Sequence, residues 1–133
     1  MIIQKRNYKK SLVVEKDQIV DLETVSVFDK PGQKGEVEIK AVVMENGQLN
    51  LRGMIKIKKK ANNVEAFLRQ KVLLVGKNSR ATAIPELEIE SNDVKASHAA
   101  SIGRINEEEI FYLQSRGLSR VEAQNMIIKA FLS

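Results

Sequence analysis

LNLRGMIKI, residues 49 to 57, puts Leu49, Leu51, Ile55 and Ile57 on alternate positions, with Gly53 keeping the phase between them. A period of two is the signature of a strand with one buried face. Upstream, VEIKAVVM at 37 to 44 begins with the same alternation and then turns continuously apolar. Asn46-Gly47 between the two runs is a strong turn signal, and a two-residue hairpin is its commonest use. Pro31-Gly32 and the segment Gly76 to Ser79 mark further turns.

Three runs look alike: RGMIKI at 52 to 57, KVLLV at 71 to 75 and ELEIE at 86 to 90. Their spacing is irregular, and it suits both the stacked coils of a β-solenoid and the successive strands of a sandwich. No helical period separates the strands, which excludes an alternating βαβ architecture.

The last thirty residues change character. Asn106 followed by Glu109 resembles a capping box, Gly117 is a good C-terminal stop, and Ser119 with Glu122 opens a second helix in the same way. Glu107, Glu108 and Glu109 put negative charge at the positive end of the first helix dipole. In the second helix Ala123, Met126, Ile127, Ala130 and Phe131 form one stripe at three- and four-residue spacing. The pattern predicts a helical hairpin with a face to bury.

At 133 residues, 43% hydrophobic and 29% charged, the chain has ordinary globular composition for one domain. Its 22 lysines and arginines against 17 acids give a net charge of +5, which permits an acidic partner without requiring one. The basic residues gather at Lys5, Arg6, Lys9 and Lys10 and at Lys56, Lys58, Lys59 and Lys60, with no aromatics interleaved, so they read as solvated faces and nucleic acid is not expected as a partner. Cysteine is absent, which excludes disulfides, zinc ribbons and thiolate nucleophiles. MIIQKRNYKKSLVV carries charges where a signal peptide needs an apolar stretch, and no run reaches membrane-spanning length; a cytoplasmic protein without membrane association is expected.

The one histidine stands in VKASHAASIG, 94 to 103. Read as a strand, Val94, Ala96, His98, Ala100 and Ile102 share one face, and Lys95, Ser97, Ala99 and Ser101 the other. His98 is then either a packed, hydrogen-bonded core residue or a metal ligand or proton-transfer group. A metal site would need Asp93, Glu88, Glu90 or another subunit to complete it, and Asp93 falls on the opposite strand face. GxSxG, P-loop and GxGxxG motifs are all missing, so a nucleotide-binding enzyme finds no support. The helical hairpin admits a helix-turn-helix DNA binder as an alternative, with Arg120, Gln124, Asn125 and Lys129 as its exposed polar groups.

The stretch IPELEIESNDVKASHAASIGRINEEEIFYLQSRGLSRVEAQNMIIKAF resembles the C-terminal part of the SufB/SufD family, core components of the SUF iron–sulfur cluster assembly machinery. The likeness runs through PELEI at 85 to 89, NDVKASH at 92 to 98, IGRINEEEIFYLQSRGL at 102 to 118 and the final AQNMIIKAF, and more loosely back to about Ala41. The resemblance implies a mainly β fold: a right-handed parallel β-helix, a short solenoid, over 1–104, followed by a C-terminal helical hairpin over 105–133. It also implies a non-enzymatic role and binding of a SufC-like ABC-type ATPase through the hairpin, with Glu108, Phe111, Tyr112, Ser115, Arg116 and Gly117 as interface candidates. The β-helix would associate with a second SufB/SufD-like subunit or with its own copy as a homodimer. The family's histidine, near that interface and implicated in cluster assembly, falls on His98.

Two departures shape the expectation. SufD-type members commonly read KCSHGA where this chain has Ala96 and Ala99, and SufB-type members place an acid directly after the histidine. Iron in a cluster needs thiolate or histidine ligands, so a chain without cysteine holds no cluster stably alone and would share iron or a cluster with a partner through His98. The chain is also much shorter than is usual in the family, as a naturally short relative, an excised fragment or a degenerate member would be, and it reads as a SufD-like subunit or as a short structural protein that keeps the fold without cluster chemistry.

Overall fold

A computed structural model describes residues 1–133 as eight strands and two helices: β1 (Ile2–Gln4), β2 (Tyr8–Val14), β3 (Ile19–Phe28), β4 (Lys34–Val43), β5 (Gln48–Ile57), β6 (Val64–Leu74), β7 (Arg80–Ile89), β8 (Val94–Arg104), α1 (Glu107–Ser115) and α2 (Arg120–Leu132). The odd strands form one sheet in the order β1-β3-β5-β7 and the even strands a second in the order β2-β4-β6-β8. Every pairing is parallel. Each strand thus turns a corner into the other sheet, and the chain winds as a parallel β-solenoid followed by two C-terminal helices.

The Asn46-Gly47 turn is therefore a corner and not a hairpin: β4 pairs with β2 and β6, and β5 with β3 and β7. The backbone shows why. A two-residue hairpin of the Asn-Gly type needs positive φ at both central residues, whereas only Asn46 has it, at 56°. Asp17, at φ 64°, occupies the same place one coil earlier, and Asn46 Nδ2 donates to Asp17 Oδ1 at 2.7 Å. The irregular spacing of the three similar runs has the same origin. RGMIKI and ELEIE belong to one sheet and KVLLV to the other, while from β2 onward strands stacked within a sheet keep offsets of 29 to 32 residues, as in Ile19 opposite Gln48 and Gln48 opposite Arg80.

Alternation along each strand sends one set of side chains inward. Leu49, Leu51, Ile55 and Ile57 are all 2% exposed or less and pack with Val37, Ile39, Leu68 and Val72 from the facing sheet. Burial of such side chains is worth roughly 2 kcal/mol each, which makes this interior the main source of stability. The continuous apolar run of β4 has a second cause. Ala41 and Val43 point inward, while Val42 points outward yet is 0% exposed, because the helices lie over it. Val13 and Leu73, its neighbours in the adjacent strands, complete the apolar patch that Ile110, Ala123, Ile127, Ile128, Phe131 and Leu132 cover.

Both helices are capped as their sequences direct. Asn106 accepts from the N–H groups of Glu108 and Glu109, and Ser119 forms a reciprocal capping box with Glu122. Gly117, at φ 99°, takes the left-handed conformation past the end of α1. The buried stripe of α2 differs from its expected form: Met126 is 50% exposed and Ala130 is exposed, while Ile128 and Leu132 turn inward. α2 must cover the sheet and meet α1 at once, which rotates its apolar face toward those two residues.

Candidate functional site

His98 sits at the end of the stack. It lies opposite Leu68 of β6, in the inward row Tyr8, Val37, Leu68, His98. β8 is the last strand of its sheet, so nothing in the chain stacks beyond the imidazole, and it is half-buried where Leu68 is buried. Burial holds the imidazole pKa below its usual value, which favours the neutral ring. Nε2 lies 3.4 Å from Oε1 of Gln70, a side chain that is 1% exposed and points into the same interior from β6.

Gln70 was not legible as part of this site, because Arg69 and Lys71 flank it and give it the look of a surface residue. The signal that finds it is phase: Leu68, Gln70 and Val72 alternate together. Gly53 of the facing sheet makes room for it. A Cβ at Gly53 would stand 2.4 Å from Leu68 Cδ2 and 3.0 Å from Gln70 Nε2.

The inward face of this last coil is apolar and uncovered. From the pairing register, Ala81, Ala83, Pro85, Leu87 and Ile89 of β7 continue the inward rows of β5, and Ala96, Ala100 and Ile102 of β8 continue those of β6. Leu87, Ile89 and Ile102 are 46%, 42% and 41% exposed, in rows whose earlier members are buried. The acids considered as metal partners do not converge on the ring. Glu88 pairs with Lys56 at 3.6 Å, Glu90 and Asp93 are exposed, and nowhere do three His, Cys, Asp or Glu side chains come together as a metal-holding group.

The six residues expected at an ATPase interface all fall on α1 and the turn after it. Phe111 is 74% and Tyr112 55% exposed. Arg116 lies 5.3 Å from the Tyr112 ring centroid, and its Nε donates to the Tyr112 hydroxyl at 3.2 Å. Ser115 donates to the Tyr112 carbonyl, and Gly117 forms the turn. Glu108 lines a shallow groove of about 350 Å³ with Asn106, Glu109, Tyr112 and Leu113. Among the polar groups of the DNA-binding alternative, Arg120 is engaged by Glu107.

That pair is the main polar link between the two helices. Arg120 Nη1 and Nη2 donate to the two carboxylate oxygens of Glu107 at 3.0 and 2.9 Å. Hydrogen bonding to Arg120 holds the Glu107 carboxyl below the usual carboxylate range. A depressed pKa means that the contribution is present at neutral pH and is lost as pH falls through the folded-state value. In Glu107→Gln the helix amides are expected to exchange faster than wild type at neutral pH and equally fast once Glu107 is protonated, which hydrogen exchange at the two pH values measures.

A parallel two-sheet solenoid followed by a packed helical hairpin, with one histidine at its open end, defines the class of protein as a short β-solenoid with a helical C-terminal unit. Residues 5–131 match the family model for the SufBD core domain of SUF system FeS cluster assembly. The chain belongs to that family. It is 36% identical over 116 residues to the iron-sulfur cluster assembly protein SufD of Escherichia coli, an alignment that covers 87% of this chain and 27% of that protein. It is 34% identical over 119 residues to an iron-sulfur cluster assembly SufBD family protein of Methanothermobacter thermautotrophicus, covering 90% of this chain and 28% of the relative. The chain thus spans little more than a quarter of the length of these relatives. No helix is long and apolar enough to cross a membrane.

Proposed function

We propose that this chain is a non-enzymatic, cytoplasmic subunit of a SUF iron–sulfur cluster assembly complex. One observation carries the reading: the last coil leaves Leu87, Ile89, Ile102 and a half-buried His98 without a covering strand, at two unpaired strand edges. An apolar floor with free backbone donors and acceptors calls for another subunit. A SufB/SufD-type partner that brings cysteine, or a second copy of this chain, covers it and places His98 beside shared iron or a shared cluster. Residues 105–133 are the unit that docks a SufC-like ABC-type ATPase, with Phe111 and Tyr112 at the centre of the contact.

Gel filtration of the chain mixed with a cysteine-bearing SufB-type subunit and the ATPase tests both contacts. Ile102→Lys is expected to abolish subunit association and leave ATPase binding, and Phe111→Asp to do the reverse. A mixture in which the wild-type chain joins neither protein overturns the reading. Deleting 105–133 is the poorer test, because it would uncover Val13, Val42 and Leu73. Ala96, Ala99 and the lack of cysteine favour a second reading, a structural subunit without cluster chemistry. Equal cluster yield on reconstitution with His98→Ala and with wild type selects it.

A further inference from the structure

The two nitrogens of the His98 ring meet different surroundings. Toward the interior stands the Gln70 amide, enclosed between the imidazole and Gly53, its Oε1 at 3.4 Å from Nε2. An amide oxygen only accepts, so the ring nitrogen facing it must carry the hydrogen for the contact to be attractive. In a neutral imidazole the other nitrogen is then an acceptor with a free lone pair. Nδ1 makes no hydrogen bond within the chain, and since no buried side-chain nitrogen or oxygen lacks a partner, Nδ1 reaches solvent.

We propose that Gln70 is a positioning residue that holds His98 as the Nε2–H tautomer, so that Nδ1 is the nitrogen offered to a borderline transition-metal ion at the open end of the solenoid. The inference rests on the reading of His98 as an interface ligand, and it adds which atom binds and what aims it. Ligating histidines are commonly oriented in this way, by a hydrogen bond from the nitrogen that does not bind. Zinc and iron both accept such an imidazole. A partner's thiolate or carboxylate would complete the coordination.

The single histidine makes the test direct, because a sample labelled with 15N-histidine gives one pair of ring resonances. The wild-type chain is expected to show Nε2 protonated and Nδ1 unprotonated at neutral pH. In Gln70→Leu the Nδ1–H form is expected to rise roughly fivefold, the population ratio one ordinary neutral hydrogen bond sets. Gln70→Glu keeps an oxygen at the same place and is expected to keep Nε2 protonated. Zn²⁺ added alone is expected to move the Nδ1 resonance. An Nδ1–H ring in the wild type, or an unchanged pattern in a folded Gln70→Leu variant, overturns the role of Gln70. Movement of Nε2, or of neither nitrogen, overturns Nδ1 as the outward donor. Neither readout involves a cluster, so failure of the assembly function would leave the tautomer result standing.

Discussion

Val42→Asp is expected to unfold the chain or to lower its stability by on the order of 4 kcal/mol or more, because it places a carboxylate without a partner between the sheet and the helices. Val42 is 0% exposed although it points away from the solenoid interior, and Ile110, Ala123 and Val75 bury the same patch. Neither a surface strand residue nor an ordinary solenoid face would respond so strongly. Val42→Thr, which keeps the shape and adds only a hydroxyl, is expected to cost far less. Urea unfolding of the three proteins measures the difference. A Val42→Asp chain as stable as wild type would mean that the helices do not pack where they are placed.

Gly76→Ala is expected to be the most damaging of the small substitutions, at about 2 to 3 kcal/mol. Its Cβ would lie 2.3 Å from the Cα and 2.6 Å from the backbone nitrogen of Glu45, in the corner one coil earlier. Backbone cannot rotate aside as a side chain can, so the two corners must separate. Their separation would break a dense set of bonds. The Glu45 carboxylate accepts from the N–H groups of Lys77 at 2.7 Å and Asn78 at 3.1 Å, and Ser79 Oγ donates to the carbonyls of Val43 and Met44. Desolvation alone would raise the Glu45 pKa, but these N–H groups bring it below the usual carboxylate range. A drop in thermal midpoint of Gly76→Ala, set against little change in Gly103→Ala, where a Cβ meets nothing within 4 Å, is the outcome to look for.

The alternation of Leu49 to Ile57 made the strand and its buried face legible, and the caps at Asn106 and Ser119 did the same for both helices. Whether those strands stacked as a solenoid or faced each other as a sandwich was not legible from periodicity, because alternation records that one face is buried and not which strand lies beside it. Family resemblance supplied that answer. Asn46-Gly47 misled for a related reason: the dipeptide specifies a bend, and whether the bend reverses the strand depends on the φ of Gly47, which glycine leaves open. On α2 the stripes through Met126 and Ala130 or through Ile128 and Leu132 are both apolar, so the docking surface chooses between them. His98 was visible as the lone imidazole, while Gln70 was hidden by its charged neighbours.

The chain's last residues return to its first coils. Ser11 Oγ donates to the Leu132 carbonyl at 3.2 Å, and Lys40 Nζ reaches the Ser133 oxygen at 2.7 Å, bonds that join residues 121 and 93 positions apart. In a simple solenoid each coil answers only to its neighbours, and unfolding can start at either end and travel. Here α2 straps the outside of β2 and β4 while its own chain continues from β8, so the winding is tied into a loop. A load on the helices reaches β2 and β4 without passing through β5 or β7, so coils that do not stack on one another are coupled directly.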